Sequence, residues 1–206
     1  MRIVREGYPY IVVLAVPALL LLAFGYWKVA IVFAVLALSM AFFFRDPERH
    51  PPADPNLVVA PADGRVTTVS RMASEQSEPH TLVSIFLSPL DVHINRAPIA
   101  GVIRDVSYLP GKFLMATNKM ASVVNEQNAL TIEGERITVV CKQIAGILAR
   151  RVVCWKKKGD RLSLGERFGL IKFSSRTDVI LPPQVEVIVR EGARVEGGTT
   201  VIGRIR

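Results

Sequence analysis

The chain has 206 residues, half of them apolar, and a net charge of +8. That length holds one ordinary domain plus an appendage, and its core is large enough to fold without disulfide staples. The basic balance asks for an anionic partner; nucleic acid is set aside because the lysines and arginines show no aromatic interleaving and no recognition motif, which leaves anionic membrane lipids.

The apolar residues are concentrated at the start. Tyr8 to Phe44 is almost entirely apolar and ordinary soluble sequence follows, which predicts a membrane-anchoring helical hairpin over 1–44 and a β-rich domain over 45–206. The turn-like Gly25-Tyr26-Trp27-Lys28 separates two runs, Tyr8–Phe24 and Val29–Phe44. Each is about 25 Å long as a helix, against a hydrocarbon core of about 30 Å, so two short spans and a hairpin dipping into one leaflet both fit. Arg2 and Arg5 precede the runs, Arg45 and Arg49 follow them, and the central loop carries only Lys28. The positive-inside rule then puts both ends, and the domain, on the cytoplasmic side. A cleaved signal peptide would not be followed directly by a second apolar run. The first 44 residues carry +2 of the charge, leaving +6 for the domain.

Arg45 to Pro52 is a proline-rich connector that cannot continue a helix. Beyond it, short β-branched runs are broken by glycine, proline and asparagine: Val58–Ala60, Arg65–Val69, Thr81–Leu87, Gly101–Tyr108, Ala129–Glu133, Ile137–Ile144 and Val185–Val189. Leu170–Phe173 and Val179–Leu181 read as strand-like arms around a tight spot at Ser174-Ser175, while Ala121–Glu126 and Ala145–Val153 are ambiguous between helix and strand. The expected class is mainly β with a few short helices. The segments Ala60–Val66 and Val189–Gly203 look like a pair of glycine-punctuated hairpins of the barrel-sandwich-hybrid type, with no lysine in a tight turn to make a carrier domain.

Cys141 and Cys154 lie in apolar stretches without CxxC spacing, so reduced thiols are expected and no metal site. The histidines are His50 in the connector, His80 in a polar loop and His93 within Ser88–Pro98. Asp63, in Pro-Ala-Asp-Gly, taken alone is an ordinary turn residue. Together Asp63, His93 and Ser175 supply an acid, a base and a hydroxyl in an order that a catalytic triad permits but does not require.

Phe44-Arg45-Asp46-Pro47-Glu48-Arg49, Pro61-Ala62-Asp63-Gly64, Ser88-Pro89-Leu90-Asp91-Val92-His93-Ile94-Asn95-Arg96-Ala97-Pro98, Asn125-Glu126-Gln127-Asn128, and Gly165-Glu166-Arg167-Phe168-Gly169 with Phe173-Ser174-Ser175-Arg176 follow one another along the chain. This ordered set resembles the short bacterial form of phosphatidylserine decarboxylase. The resemblance implies a bacterial cell-membrane enzyme that cuts itself between Ser174 and Ser175 into a large chain, 1–174, and a small chain, 175–206. Ser175 would become a covalent pyruvoyl group, with Asp63 and His93 as the acid and base that activate it. That group would form a Schiff base with phosphatidylserine and draw electrons from the breaking bond, releasing carbon dioxide and phosphatidylethanolamine with no metal. His93 is also the candidate for reprotonation. Arg96, Lys112 and Asn118 are candidate substrate-binding residues, Arg96 standing equally open to a solvated surface role. Anionic lipids and the two chains of one precursor are the implied partners, and homo-oligomers are left open.

The sequence departs from the family in two places. Glycine usually precedes the processed serine, and Ser174 stands here, so slower processing is expected; the pyruvoyl-dependent histidine decarboxylases, which are cleaved between two serines, show the pair is chemically workable. Long-form enzymes carry another histidine three positions after the first, where this chain has Arg96. Two alternatives stay open: a decarboxylase of a related lipid such as archaetidylserine, and an unprocessed, non-catalytic lipid-binding β-domain.

Overall fold

The structure, a computed structural model, describes residues 2–72, 79–115, 120–146, 152–172 and 175–206. It divides into two units, Met1–Glu48 and Arg49–Arg206. In the first, the two apolar runs form α1 (Tyr8–Ala23) and α2 (Trp27–Phe43), joined at Gly25, whose φ of 80° suits a residue without a Cβ. The turn is shorter than the sequence implied. The Tyr26 carbonyl accepts from the Val29 and Ala30 amides, which draws Trp27 and Lys28 into the first turn of α2. Arg5–Ala23 is long and apolar enough to cross a membrane by length and composition, whereas Trp27–Phe43 is shorter. Strand β1 (Arg2–Ile3) pairs antiparallel with β2 (Arg45–Asp46), so this unit runs past Phe44.

The second unit is mostly strand. It contains β3 (Leu57–Val59), β4 (Gly64–Met72), β5 (His80–Leu87), β6 (Ile94–Arg96), β7 (Gly101–Leu109), β8 (Gln127–Glu133), β9 (Thr138–Ala145), β10 (Val152–Cys154), β11 (Arg161–Leu162), β12 (Arg167–Ile171), β13 (Ser175–Leu181), β14 (Val185–Val187), β15 (Arg194–Val195) and β16 (Val201–Ile205), with one helical turn, α3 (Ala121–Val124). An eight-stranded antiparallel sheet has the order β11-β7-β8-β9-β13-β5-β4-β15; two three-stranded sheets are ordered β14-β16-β3 and β10-β12-β6. One hydrophobic core joins them. Val66, Val83, Ile85, Leu87, Leu130, Ile132, Val139, Cys141, Val179 and Leu181 come from one face of the large sheet, and Val58, Phe168, Val185 and Ile202 from the small sheets.

The class is the mainly β one read from the sequence, and the Ala60–Val66 and tail segments do meet, with Arg194 opposite Arg65 and Val195 opposite Gly64. Details differ. His80, expected in a loop, opens β5 opposite Met72. Of the ambiguous segments, Ala121–Val124 is helical and Val152–Val153 belong to β10, with 147–151 outside the described residues. The first arm of the tight spot ends at Ile171, and the second starts at Ser175 rather than Val179.

Gly64 is the tightest backbone approach beside the candidate site. At a φ of 149°, a Cβ there would lie 2.1 Å from the Phe86 carbonyl oxygen, a backbone atom that cannot turn away. Gly64→Ala is expected to destabilise the β-unit by about 2 kcal/mol or more, read as a lowered denaturation midpoint in detergent micelles.

Candidate active site

The topology sorts the candidates by which end of β5 they occupy. Leu87 closes β5 opposite Ser175, the first residue of β13, and Ala145 of β9 faces Ser175 from the other side. His80 is seven residues away at the far end of β5, about 23 Å at the usual rise per strand residue, and His50 is exposed in the connector. His93 ends the connection that leaves Leu87. Its carbonyl accepts from the Ile171 amide at 3.2 Å, the last residue of β12. The chain from β12 to β13 therefore begins on His93 and ends between Leu87 and Ala145. Ser174, the other half of the proposed scissile bond, and Asn118 lie outside the described residues.

Ser175 is fully buried, and its Oγ has no hydrogen-bond partner among the described residues, a status it shares with Ser84. A buried hydroxyl left unsatisfied costs about 1–3 kcal/mol. His93 is also buried, and its Nδ1 lies 2.9 Å from the Asp91 carbonyl oxygen. A carbonyl only accepts, so Nδ1 carries the proton and the basic lone pair of the neutral ring sits on Nε2. Asp91 is itself fixed: one carboxylate oxygen accepts from the Ser88 amide at 2.8 Å and the other from Arg194 at 2.5 Å.

Asp63 makes its hydrogen bonds elsewhere. Its Oδ1 accepts from the Gly197 amide at 2.8 Å and its Oδ2 from Arg49 at 2.6 Å, while Arg49 also holds Glu196. Burial pushes the Asp63 carboxyl above the ordinary range, opposed by the Gly197 bond and the Arg49 charge. The acceptor that orients the histidine is thus the Asp91 carbonyl, which the sequence reading did not single out. The only pointer to it is its place two residues before His93.

The motifs of the sequence converge here. The Arg96 amide donates to the Pro61 carbonyl, the Ala97 amide to Glu166, and the Gly165 amide to Ala97. Arg96 is buried, with Nη1 donating to the Gly165 carbonyl at 3.1 Å, so the solvated-surface alternative does not hold for it. Glu166 anchors its turn: although burial pulls its carboxyl upward, the hydrogen bonds from Lys156 and the Ser163 amide hold it below the ordinary value. Lys112 is exposed, and its backbone bridges Asn125. Among the described residues no cluster of histidine, cysteine, aspartate and glutamate is placed to hold a metal. Cys141 and Cys154 are free thiols, both pushed up first by burial, and Cys154 is only partly buried.

Two polar groupings around β13 escaped the sequence reading. On the side of Ser175, Gln143 donates to Asn95 at 2.8 Å, Asn95 to Thr177 at 2.9 Å, and Asn128 to Gln143 at 3.2 Å, all buried. On the opposite face, Arg176 grips Asp178 with two hydrogen bonds of 2.6 and 2.7 Å.

A β-domain carrying this serine and histidine behind an apolar hairpin is matched among known proteins by carboxy-lyases. The family model described as phosphatidylserine decarboxylase fits residues 36–203. A phosphatidylserine decarboxylase proenzyme of Symbiobacterium thermophilum is 50% identical over 98% of this chain and 95% of its own length. Proenzymes of the same description from Solibacter usitatus and Geotalea uraniireducens are 45% and 43% identical, covering 99% and 98% of this chain and 97% and 95% of their own. The chain belongs to the phosphatidylserine decarboxylase family.

The Arg176–Asp178 pair gives a test of how the strand behind the serine is held. Arg176→Met leaves a buried, unpaired carboxylate and is expected to cost about 3–5 kcal/mol, whereas the double change Arg176→Met with Asp178→Leu restores most of that loss. Denaturant midpoints of the two variants in detergent decide it.

Proposed function

We propose that this chain is a membrane-bound proenzyme that cleaves itself between Ser174 and Ser175 and then decarboxylates phosphatidylserine to phosphatidylethanolamine on the cytoplasmic side of a bacterial membrane. The observation that carries this reading is the Ser175 Oγ at the head of β13, buried and without a hydrogen-bond partner among the described residues, on a tether of three residues whose other end is hydrogen-bonded to His93.

The cleavage uses this chain's own atoms. The Ser175 hydroxyl attacks the Ser174 carbonyl carbon while His93 Nε2 takes the proton; the peptide C–N bond breaks and an ester joins the two residues. β-Elimination expels the Ser174 carboxylate and leaves dehydroalanine at 175, which water converts to a pyruvoyl group with loss of ammonia. The residues fit such a group. Its carbonyl would begin a strand walled by Leu87 and Ala145, with His93, which holds the other end of the tether, assigned as the base, and no charged side chain of β13 on the same face. When formed, the group supplies an electron-withdrawing carbonyl that accepts the electron pair freed as carbon dioxide departs. His93 then holds the proton that returns to the substrate carbon. Asp63, kept between Arg49 and Gly197, is assigned as the acid that works with His93. Arg96, Lys112 and Asn118 are assigned to the phosphate and carboxylate of the head group.

Intact-mass analysis after denaturing electrophoresis tests the whole proposal. The expected result is two chains, 1–174 and 175–206, the small one beginning in pyruvoyl, with decarboxylation of vesicle-borne phosphatidylserine. Ser175→Ala abolishes both, and His93→Ala slows cleavage by at least about 10²-fold, the ordinary worth of a general base. A single uncut and inactive wild-type chain sinks the proposal; faster turnover of an ether-linked than an ester-linked substrate moves it to archaetidylserine.

A further inference from the structure

The described residues of Tyr108–Met115 and Met120–Val124 form an apolar surface that the mechanism leaves unused. Tyr108, Leu109, Phe113, Met115, Met120 and Val123 are all exposed, from 36% at Phe113 to 69% at Val123. From Val106 to Asn125 the sequence contains Lys112 and Lys119 and no carboxylate. The unit that carries it, 49–206, holds 22 basic and 15 acidic residues, a net charge of +7. Exposed apolar side chains around the exposed Lys112, in a stretch without acids, are the composition of a surface that lies in the head-group region of an anionic bilayer.

The base of this surface is fastened beside the candidate site. Asn125 accepts from the Leu114 amide and donates to the Leu114 carbonyl, each at 2.9 Å, and also donates to the Ala145 carbonyl at 2.7 Å. Ala145 is the residue of β9 opposite Ser175. The Lys112 amide donates to Val124, and the Glu126 amide to Lys112. The apolar segment is thus clamped by one buried asparagine to the strand that walls the serine.

We infer that this surface is a bilayer-contact face of the catalytic unit, seated on anionic phospholipid, through which a lipid passes from the membrane to Ser175 without crossing bulk water. The inference rests on the proposed lipid substrate, but the membrane contact is measurable without activity.

The test uses the full chain in vesicles of phosphatidylcholine and phosphatidylglycerol, with Cys154 replaced by alanine and Cys141 left in the core. A single cysteine at Val123 carries an environment-sensitive fluorophore. A control label sits at Glu135, in the β8–β9 turn at the other end of the β7–β8 ladder. The expected result is blue-shifted emission at 123 that is quenched when the acyl chains are brominated, with the label at 135 unquenched. Emission at 123 indifferent to bromination overturns the inference, and so does cross-linking of two copies through 123, which would make the surface a dimer interface. If the chain decarboxylates, the double change Met115→Ser and Val123→Ser should raise the apparent KM for vesicle-borne substrate about tenfold, leaving self-cleavage and turnover of a detergent-dispersed substrate unchanged. Quenching without decarboxylation keeps the contact and rejects the enzyme reading; decarboxylation without quenching does the reverse.

Discussion

The arrangement depends on β13 being hydrogen-bonded along both edges. Ser175 to Leu181 pair with Leu87 to Thr81, and Ser175 to Ile180 pair with Ala145 to Val140. A strand in that position cannot shift without breaking two ladders, and a one-residue slip would turn Ser175 and Thr177 away from the core. If the chain is severed before Ser175, the 175–206 piece is part of the core and not an appendage. It contributes Val179, Leu181, Val185, Val195, Ile202 and Ile205 to the hydrophobic cluster, and β14 and β16 complete a sheet with β3. Cleavage within such a framework would release little, because the small piece stays paired to the large one along both edges of β13 and through β15–β4 and β16–β3.

The same interleaving governs the histidine. His93 is oriented by the Asp91 backbone, and Asp91 is steadied by Arg194, which lies beyond the proposed scissile bond. Asp63 likewise reaches across it to the Gly197 amide, and Arg49 to Glu196. The base that would act in cleavage is thus held in part by the smaller product of that cleavage. In the proposed reaction one histidine would then be kept in place for both the processing event and later turnover, since the contact that sets its tautomer does not include the scissile bond.

Much of the fold was legible because composition alone carries it. Two apolar runs with no polar face have few ways to fold other than a hairpin, and β-branched runs between glycines and prolines become strands. The site was legible as residue types: Ser175 and His93 stand out as a hydroxyl at a tight junction and a histidine among polar neighbours. His93 was chosen over His80 on its polar neighbours alone; the sequence could not show that β5 puts His80 at the end far from Ser175. The contacts of Asn95, Gln143, Thr177, Arg176 and Asp178 were not legible, because their partners are 48 to 82 positions away or hidden on a buried face. Arg96 was equivocal for the same reason, its neighbours Gly165 and Gly198 being distant in the chain.

The tether between β12 and β13 also explains why the residue before the serine matters. These strands belong to different sheets, and residues 172–174 alone carry the chain from one to the other, a reach of roughly 13 Å between Ile171 and Ser175 at full extension. A connection that short restricts which backbone conformations close it, and glycine admits conformations that serine does not. In the proposed reaction the carbonyl of residue 174 must also be reached by the neighbouring hydroxyl, so one of the three residues that share the constraint also carries the chemistry. After cleavage, residue 174 is a chain end and closes nothing. Under that proposal serine at 174 would bear on the rate of the one processing event, while the site left after it would rest on β13, His93 and Asp91.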